Sequence, residues 1–155
     1  MKSWKIIVSI AIVAAVVAFV FLRTANHTVE FRRALYSGDI SQVEKLLQAH
    51  PTLANADVDP SKGWTPLHVA ANLGDPDLVK LLVHYGAKVD VRDKRGLTPL
   101  LWTAFAGRRD AAAALLSNGA DINARGPDGR TTLDLAKLSL DNSLIDLLRE
   151  RGAHE

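Results

Sequence analysis

Apolar positions fall into two regimes along the chain. From Ile6 to Leu22 they run unbroken apart from Ser9, a stretch of 17 residues with no polar face. As a helix that stretch would rise roughly 25 Å, close to the length that a bilayer core asks of a spanning segment. Trp4, Lys5 and Arg23 flank it as headgroup anchors would. It predicts a transmembrane signal-anchor over residues 1–23. The alternative is a cleaved signal, against which stand the length of the run and the charge of Arg23 near any cleavage position. Beyond a polar linker over 24–29, the apolar residues recur instead at helical spacing. Phe31, Ala34 and Leu35 form one stripe, Val43, Leu46 and Leu47 a second, and Leu78, Val79, Leu81 and Leu82 a third.

The punctuation between these stripes predicts short paired helices. Ser37-Gly38 ends the first, and Asp39 starts the next, with Gln42 three residues on as in a capping box. Thr65-Pro66 and Asp75-Pro76 each place proline in a first turn, where its missing N–H costs nothing. Gly74 and Gly86 stop the corresponding helices.

These helices belong to a repeat. Gly63-Trp-Thr-Pro-Leu-His-Val-Ala-Ala71 returns as Gly96-Leu-Thr-Pro-Leu-Leu-Trp-Thr-Ala104 and, worn, as Gly129-Arg-Thr-Thr-Leu-Asp-Leu-Ala-Lys137. Gly86-Ala87, Gly119-Ala120 and Gly152-Ala153 keep the same step of 33 residues. A unit that opens G-x-T-P-L-H-x-A-A and closes L-L-x-x-G-A resembles the ankyrin repeat. The resemblance implies an all-α solenoid of about four helix-turn-helix units, over residues 30–155, in which each hairpin buries its faces against its neighbours. The units fall at about 30–59, 60–92, 93–125 and 126–155. The first is divergent, and its closing loop, His50–Lys62, is the longest. In the third, Leu101 takes the histidine's place, Thr103 an alanine's and Trp102 an aliphatic residue's. Trp102 reads as core bulk that compensates for Ala111-Ala112-Ala113-Ala114. In the fourth, Thr132 and Asp134 replace proline and histidine, and Leu140 stands where the earlier units have Gly74 and Gly107. Polar Lys137, Ser139, Asn142, Asp146, Arg149 and Glu150 suit a C-terminal cap.

Charge changes the picture only once it is divided. The formal net charge of +2 includes Lys2, Lys5 and Arg23; residues 24–155 carry 16 bases against 17 acids. The basic pI belongs to the N-terminal tail, so no nucleic-acid partner is expected. The chain has no cysteine, which removes disulfides, thiolate catalysis and thiolate-ligated metals. His27, His50, His68, His84 and His154 show no metal-ligand spacing, and no phosphate loop or nucleophile elbow is present. No catalytic residue, metal or cofactor is expected. Asp57 and Asp59 fall short of a calcium loop. Asp134 with Lys137 reads as a solvated i, i+3 pair. The resemblance implies that His68 hydrogen-bonds backbone near the inter-repeat loop.

The expected function is protein binding. In ankyrin arrays the loop tips and the inner face of the first helices make the contacts. The repeat phase puts Lys62, Arg92, Lys94, Arg95, Arg125 and Arg130 at the tips, against Asp93 and Asp128. Trp64, Asn72, Leu73, Leu97, Phe105 and Ala106 fall on the adjacent inner positions. Aromatic and apolar residues beside arginines are the composition of interface hot spots. Together they predict a membrane-tethered interaction module for a partner with an acidic surface. The short basic N-terminus before the apolar run is expected to stay inside, which places the domain outside, in the periplasm if the cell is bacterial, as in the small anchored or exported bacterial ankyrin proteins that the chain resembles. The alternatives are an inhibitor or immunity protein that masks a toxic enzyme, or a factor supporting an oxidative-stress enzyme such as catalase. Ala11/Ala15 and Ala14/Ala18 also permit a homodimer through the membrane segment, with the bilayer itself contacting Ile6–Leu22.

Overall fold

N-caps and glycines cut the chain into paired short helices, as their spacing predicts. The computed structural model describes residues 12–17 and 27–154. Helix α1 covers residues 27–37 and so takes in part of the expected linker. It is followed by α2 (Ile40–Ala49), a single 3₁₀ turn at Pro51–Asn55, α3 (Pro66–Leu73), α4 (Pro76–His84), α5 (Pro99–Ala106), α6 (Arg109–Ser117), α7 (Thr132–Leu138) and α8 (Asn142–Glu150). The described residues contain no strand, only two isolated bridges at loop tips, Asp59 with Trp64 and Arg125 with Thr131.

The caps are those the sequence offers. Asp39 accepts from the backbone N–H of Gln42, Asp75 from those of Asp77 and Leu78, and Asp141 from that of Leu144. Gly74 and Gly107 close α3 and α5 in the left-handed region, at φ 80° and 65°. At the same place after α7 stands Leu140, the one non-glycine residue with positive φ, at 57°, among the described residues. Its side chain is 81% exposed, so it takes the left-handed turn without any packing in return.

Stacking follows the repeat. Inner helices α3, α5 and α7 pack in one row and outer helices α4, α6 and α8 in another. Each hairpin contributes its stripe to a continuous core: Phe31 and Leu35, Val43 and Leu47, Leu78 and Leu82, Leu100 and Leu115, Leu133 and Leu148 are all fully or almost fully buried. Polar bonds between neighbouring units span nearly one repeat. Asn55 donates to the Gly86 carbonyl at 2.8 Å and accepts from the Lys88 N–H at 2.8 Å, and the Lys94 N–H donates to the Lys62 carbonyl at 2.9 Å. Such a core holds one unit on the next and fixes the tip loops relative to one another.

Trp102 has the core role expected of it, at 6% exposure, and its indole also reaches the Asp93 carboxylate at the tip. Ala113 and Ala114 floor an open surface groove of about 250 Å³ between α4 and α6. One expectation is corrected. The single-pass membrane segment is not found: no helix among the described residues is long and apolar enough to cross a membrane. Of Ile6–Leu22 only residues 12–17 are described, as helix. The rest of that stretch, with the anchor, signal, bilayer-contact and dimer readings that fall on it, lies outside the described residues.

Candidate functional site

Each tip is a tight turn fixed by its own acid. In the second unit Asp59 accepts from the N–H and hydroxyl of Ser61. In the fourth, Asp128 accepts from the Arg130 N–H. The third-unit tip carries more. Oδ1 of Asp93 accepts from the N–H groups of Arg95 and Leu97, at 2.8 and 2.9 Å, and Oδ2 accepts from the indoles of Trp102 and Trp64, at 2.8 and 3.3 Å. Asp93 is 6% exposed. Burial works against its charge, but the N–H donors of Leu97, Trp102 and Arg95 outweigh it and hold the carboxyl below its ordinary value. The two indoles meet edge to face, with centroids 4.9 Å apart. One buried carboxylate thus ties the second unit's tip to the third unit's tip and inner helix.

His68 makes a parallel tie. Its Nδ1 accepts from the Thr65 N–H at 3.2 Å, which leaves the proton on Nε2, and Nε2 donates to the Leu97 carbonyl at 3.1 Å. The ring is fully buried, and burial lowers its pKa against the opposing influence of the Leu97 carbonyl and Asp93. The histidine therefore has the structural role the resemblance implies. Asp134 occupies the same place in the fourth unit and is more than a solvated partner for Lys137. It accepts from both the N–H and the hydroxyl of Thr131 at 2.9 Å, and these bonds hold its carboxyl below the ordinary range.

On this frame the expected contact residues divide into three groups. Several cations are already engaged. Arg92 donates to the carbonyls of Gly96 and Arg125, Arg125 to that of Gly129, and Lys94 to that of Pro60. Lys62 pairs with Asp59 and lies 4.2 Å from the Trp64 ring centroid, and Arg130 pairs with Asp128 at 3.3 Å. They remain at the surface, but part of their donor capacity splints the loops. A second group is buried: Trp64 and Leu97 are 4% and 8% exposed, and of the two only Leu97 lines a surface cleft. Asn72 is half-buried, and its carbonyl accepts from Arg108 Nε at 3.0 Å.

The third group is open. Phe105 is 62% exposed and Leu73 37%. The Phe105 ring sits edge to face on Trp102 at 5.4 Å. The Arg95 guanidinium lies 5.3 Å from the Trp102 ring and 5.6 Å from the Phe105 ring, and it is in no ion pair among the described residues. Arg95, Leu97 and Phe105 form one side of a cleft of about 170 Å³, and Pro127, Asp128, Arg130 and Leu135 form the other. Among the described residues no group of three or more His, Asp or Glu is placed to hold a metal ion.

Asp93 is the residue that sequence reasoning undervalued, as a mere countercharge. A signal was available in the repeat phase. Asp93 stands where the flanking units have Pro60 and Gly126, and Trp102 stands where they have Val69 and Leu135. Both departures fall in the third unit, next to Trp64 of the second, and together they mark that interface.

A family model described as "Ankyrin repeats (3 copies)" matches residues 31–126, well over half of the chain. Among curated proteins, a 60-residue stretch is 45% identical to "Ankyrin repeat, SAM and basic leucine zipper domain-containing protein 1" of Equus caballus. The match takes in 37% of this chain and 12% of that protein. The Mus musculus protein of the same name is 42% identical over 57 residues, 37% of this chain and 11% of its own length. That of Notamacropus eugenii is 38% identical over 66 residues, 43% of this chain and 13% of its own. The aligned stretch is thus a small fraction of each relative. These are mammalian proteins whose names describe ankyrin repeats, a SAM domain and a basic leucine zipper. With the absence of a spanning helix among the described residues, they overturn the expected localisation as a single-pass membrane protein with a periplasmic domain.

Proposed function

The chain belongs to the ankyrin-repeat family, a protein-interaction fold, and we propose that it binds a protein partner through the inner face centred on Arg95 and Phe105. The observation that carries this reading is the exposure of Phe105, 62%, in a ring that rests edge to face on the buried Trp102. An aromatic ring left in water on a well-packed helix costs burial that a partner recovers. Interface hot spots favour aromatic and arginine anchors. Here both are preorganised, because Trp102 beneath them is fixed by Asp93, so little rotamer freedom is lost on binding. Arg92, Lys94 and Arg125 surround the patch with positive charge on a domain that is otherwise close to neutral. That field favours an acidic partner surface and speeds encounter more than it strengthens the complex. Leu73 and Asn72 extend the face along the same inner row, towards the first units.

A photoreactive residue placed at Phe105 tests the proposal. It should capture a protein that the same residue at Arg149, on the outer helix α8, does not. That protein should bind the unmodified chain, and Phe105→Ala should raise its dissociation rate by an amount equivalent to about 2 kcal/mol or more. Identical capture at both positions, or an unchanged rate, places the contact elsewhere.

A further inference from the structure

Resting on that reading, we infer that the cleft between the third and fourth units takes one large apolar side chain of an acidic peptide segment, with a neighbouring carboxylate of that segment on Arg95. The apolar walls are Phe105, Leu97, Pro127 and Leu135. At about 170 Å³ the space matches a single side chain; an engineered apolar cavity of about 150 Å³ admits a benzene ring. The cleft is open on one side, as a peptide lying along the inner face requires.

Charge selects the occupant. The rim carries Arg95, Arg130 and Asp128. Arg130 and Asp128 face one another at 3.3 Å, which leaves Arg95 as the rim cation in no ion pair among the described residues. Its guanidinium is parked near two aromatic rings, 5.3 and 5.6 Å away. Those contacts leave the N–H donors at its edge available. A planar fork held in this way is preorganised for bidentate bonding to a carboxylate. The other tip cations are less free to do this, because Arg92, Lys94 and Arg125 spend donors on loop carbonyls. Arg95 is therefore the specificity element and Phe105 the apolar anchor, in one side chain's reach of each other. Nucleic acid is disfavoured: Asp128 stands at the cleft mouth and Asp93 beneath it, which suits one carboxylate better than a run of phosphates.

The test uses the full 155-residue chain and dye-labelled acetylated tripeptides read by fluorescence anisotropy. Glu-Phe-Glu should bind more tightly than Glu-Ala-Glu and Lys-Phe-Lys by about tenfold or more each, since both the anchor and the charge-assisted pair are needed. Arg95→Gln should remove the preference for Glu-Phe-Glu over Lys-Phe-Lys, and Phe105→Ala the preference over Glu-Ala-Glu. Arg149→Gln should change neither. Amide shifts in the NMR spectrum on adding Glu-Phe-Glu should centre on Arg95, Phe105 and Leu135. Equal binding of the three peptides, tighter binding of a dye-labelled oligothymidine, or shifts centred elsewhere would overturn the inference. If the peptides fail while the protein captured at Phe105 still depends on that ring, the cleft assignment falls and the binding face stands. If the Phe105 capture fails as well, both fall.

Discussion

Asp93→Ala and Asp93→Asn together measure how much of the binding face is held up from beneath. The carboxylate takes four donors, two on each oxygen. Alanine removes every acceptor. The Arg95 N–H, at an exposed residue, can turn to water, but the Leu97 N–H and the two indoles belong to buried residues. A buried donor left unmade costs roughly 1–3 kcal/mol, so three give a gross range well above what is lost in practice. Against it stands the release of the carboxylate's own burial, and water can enter from the Arg95 side. About 3 kcal/mol is the expected net loss, a large share of the ~5–15 kcal/mol that holds a domain together. Asparagine keeps one acceptor oxygen and turns an NH2 towards the other pair of donors, so it should lose about 2 kcal/mol. Urea unfolding followed by far-UV circular dichroism gives both values. A cycle with Trp64→Phe isolates the inter-unit bond. At 3.3 Å, against 2.8 Å for Trp102, it should couple more weakly than the corresponding Trp102 cycle. An asparagine variant within 0.5 kcal/mol of the parent, or an alanine variant that loses under about 1 kcal/mol, would refute the node.

Other perturbations address the array itself. Leu82 is fully buried in α4 against α6, so Leu82→Ala should cost about 2–5 kcal/mol in the same assay, and a loss below 1 would contradict the stacking. Leu140 pays about 1–2 kcal/mol for its left-handed φ of 57°. Leu140→Gly returns part of that to unfolded-chain entropy and should stabilise by about 0.5–1 kcal/mol, seen as a higher urea midpoint. Acid should weaken the fold through His68. Its pKa is lowered on folding, so its contribution is complete above the unfolded value of about 6.5 and is lost as pH falls from there towards the folded value, at up to about 1.4 kcal/mol per pH unit. His68→Leu, which copies Leu101 of the next unit, should flatten the urea midpoint between pH 7.5 and 5, and an unchanged slope would show the imidazole to be unimportant.

The solenoid was legible because its signals are local and repeated. A glycine, a capping threonine or aspartate and a first-turn proline each specify a boundary through the backbone alone, and the period multiplies them. The left-handed turn at Leu140 followed from phase in the same way. What sits at the tips was legible by position but not by state. Nothing in the spacing tells that Arg92, Lys94 and Arg125 spend donors on carbonyls one turn or one unit away, whereas Arg95 rests on aromatic rings. That depends on the offset between neighbouring units, which the sequence period does not contain. Repeat phase places Trp64 on the inner face and bulk places Trp102 in the core, yet both serve one buried acid. The expected localisation failed for a different reason: an apolar run of the right length is a statement about hydropathy, and it placed the protein in a compartment that neither the described helices nor the mammalian relatives support.

The dissociation rate of the protein captured at Phe105, compared between the parent chain, Phe105→Ala, Arg95→Gln and Arg149→Gln, tests the binding face most directly. If Arg95 and Phe105 hold the partner, Phe105→Ala should release it faster by about 2 kcal/mol or more and Arg95→Gln by about tenfold or more, with their urea midpoints and circular dichroism unchanged. The outer-helix variant should match the parent. Release at the parental rate from folded Phe105→Ala and Arg95→Gln would contradict it.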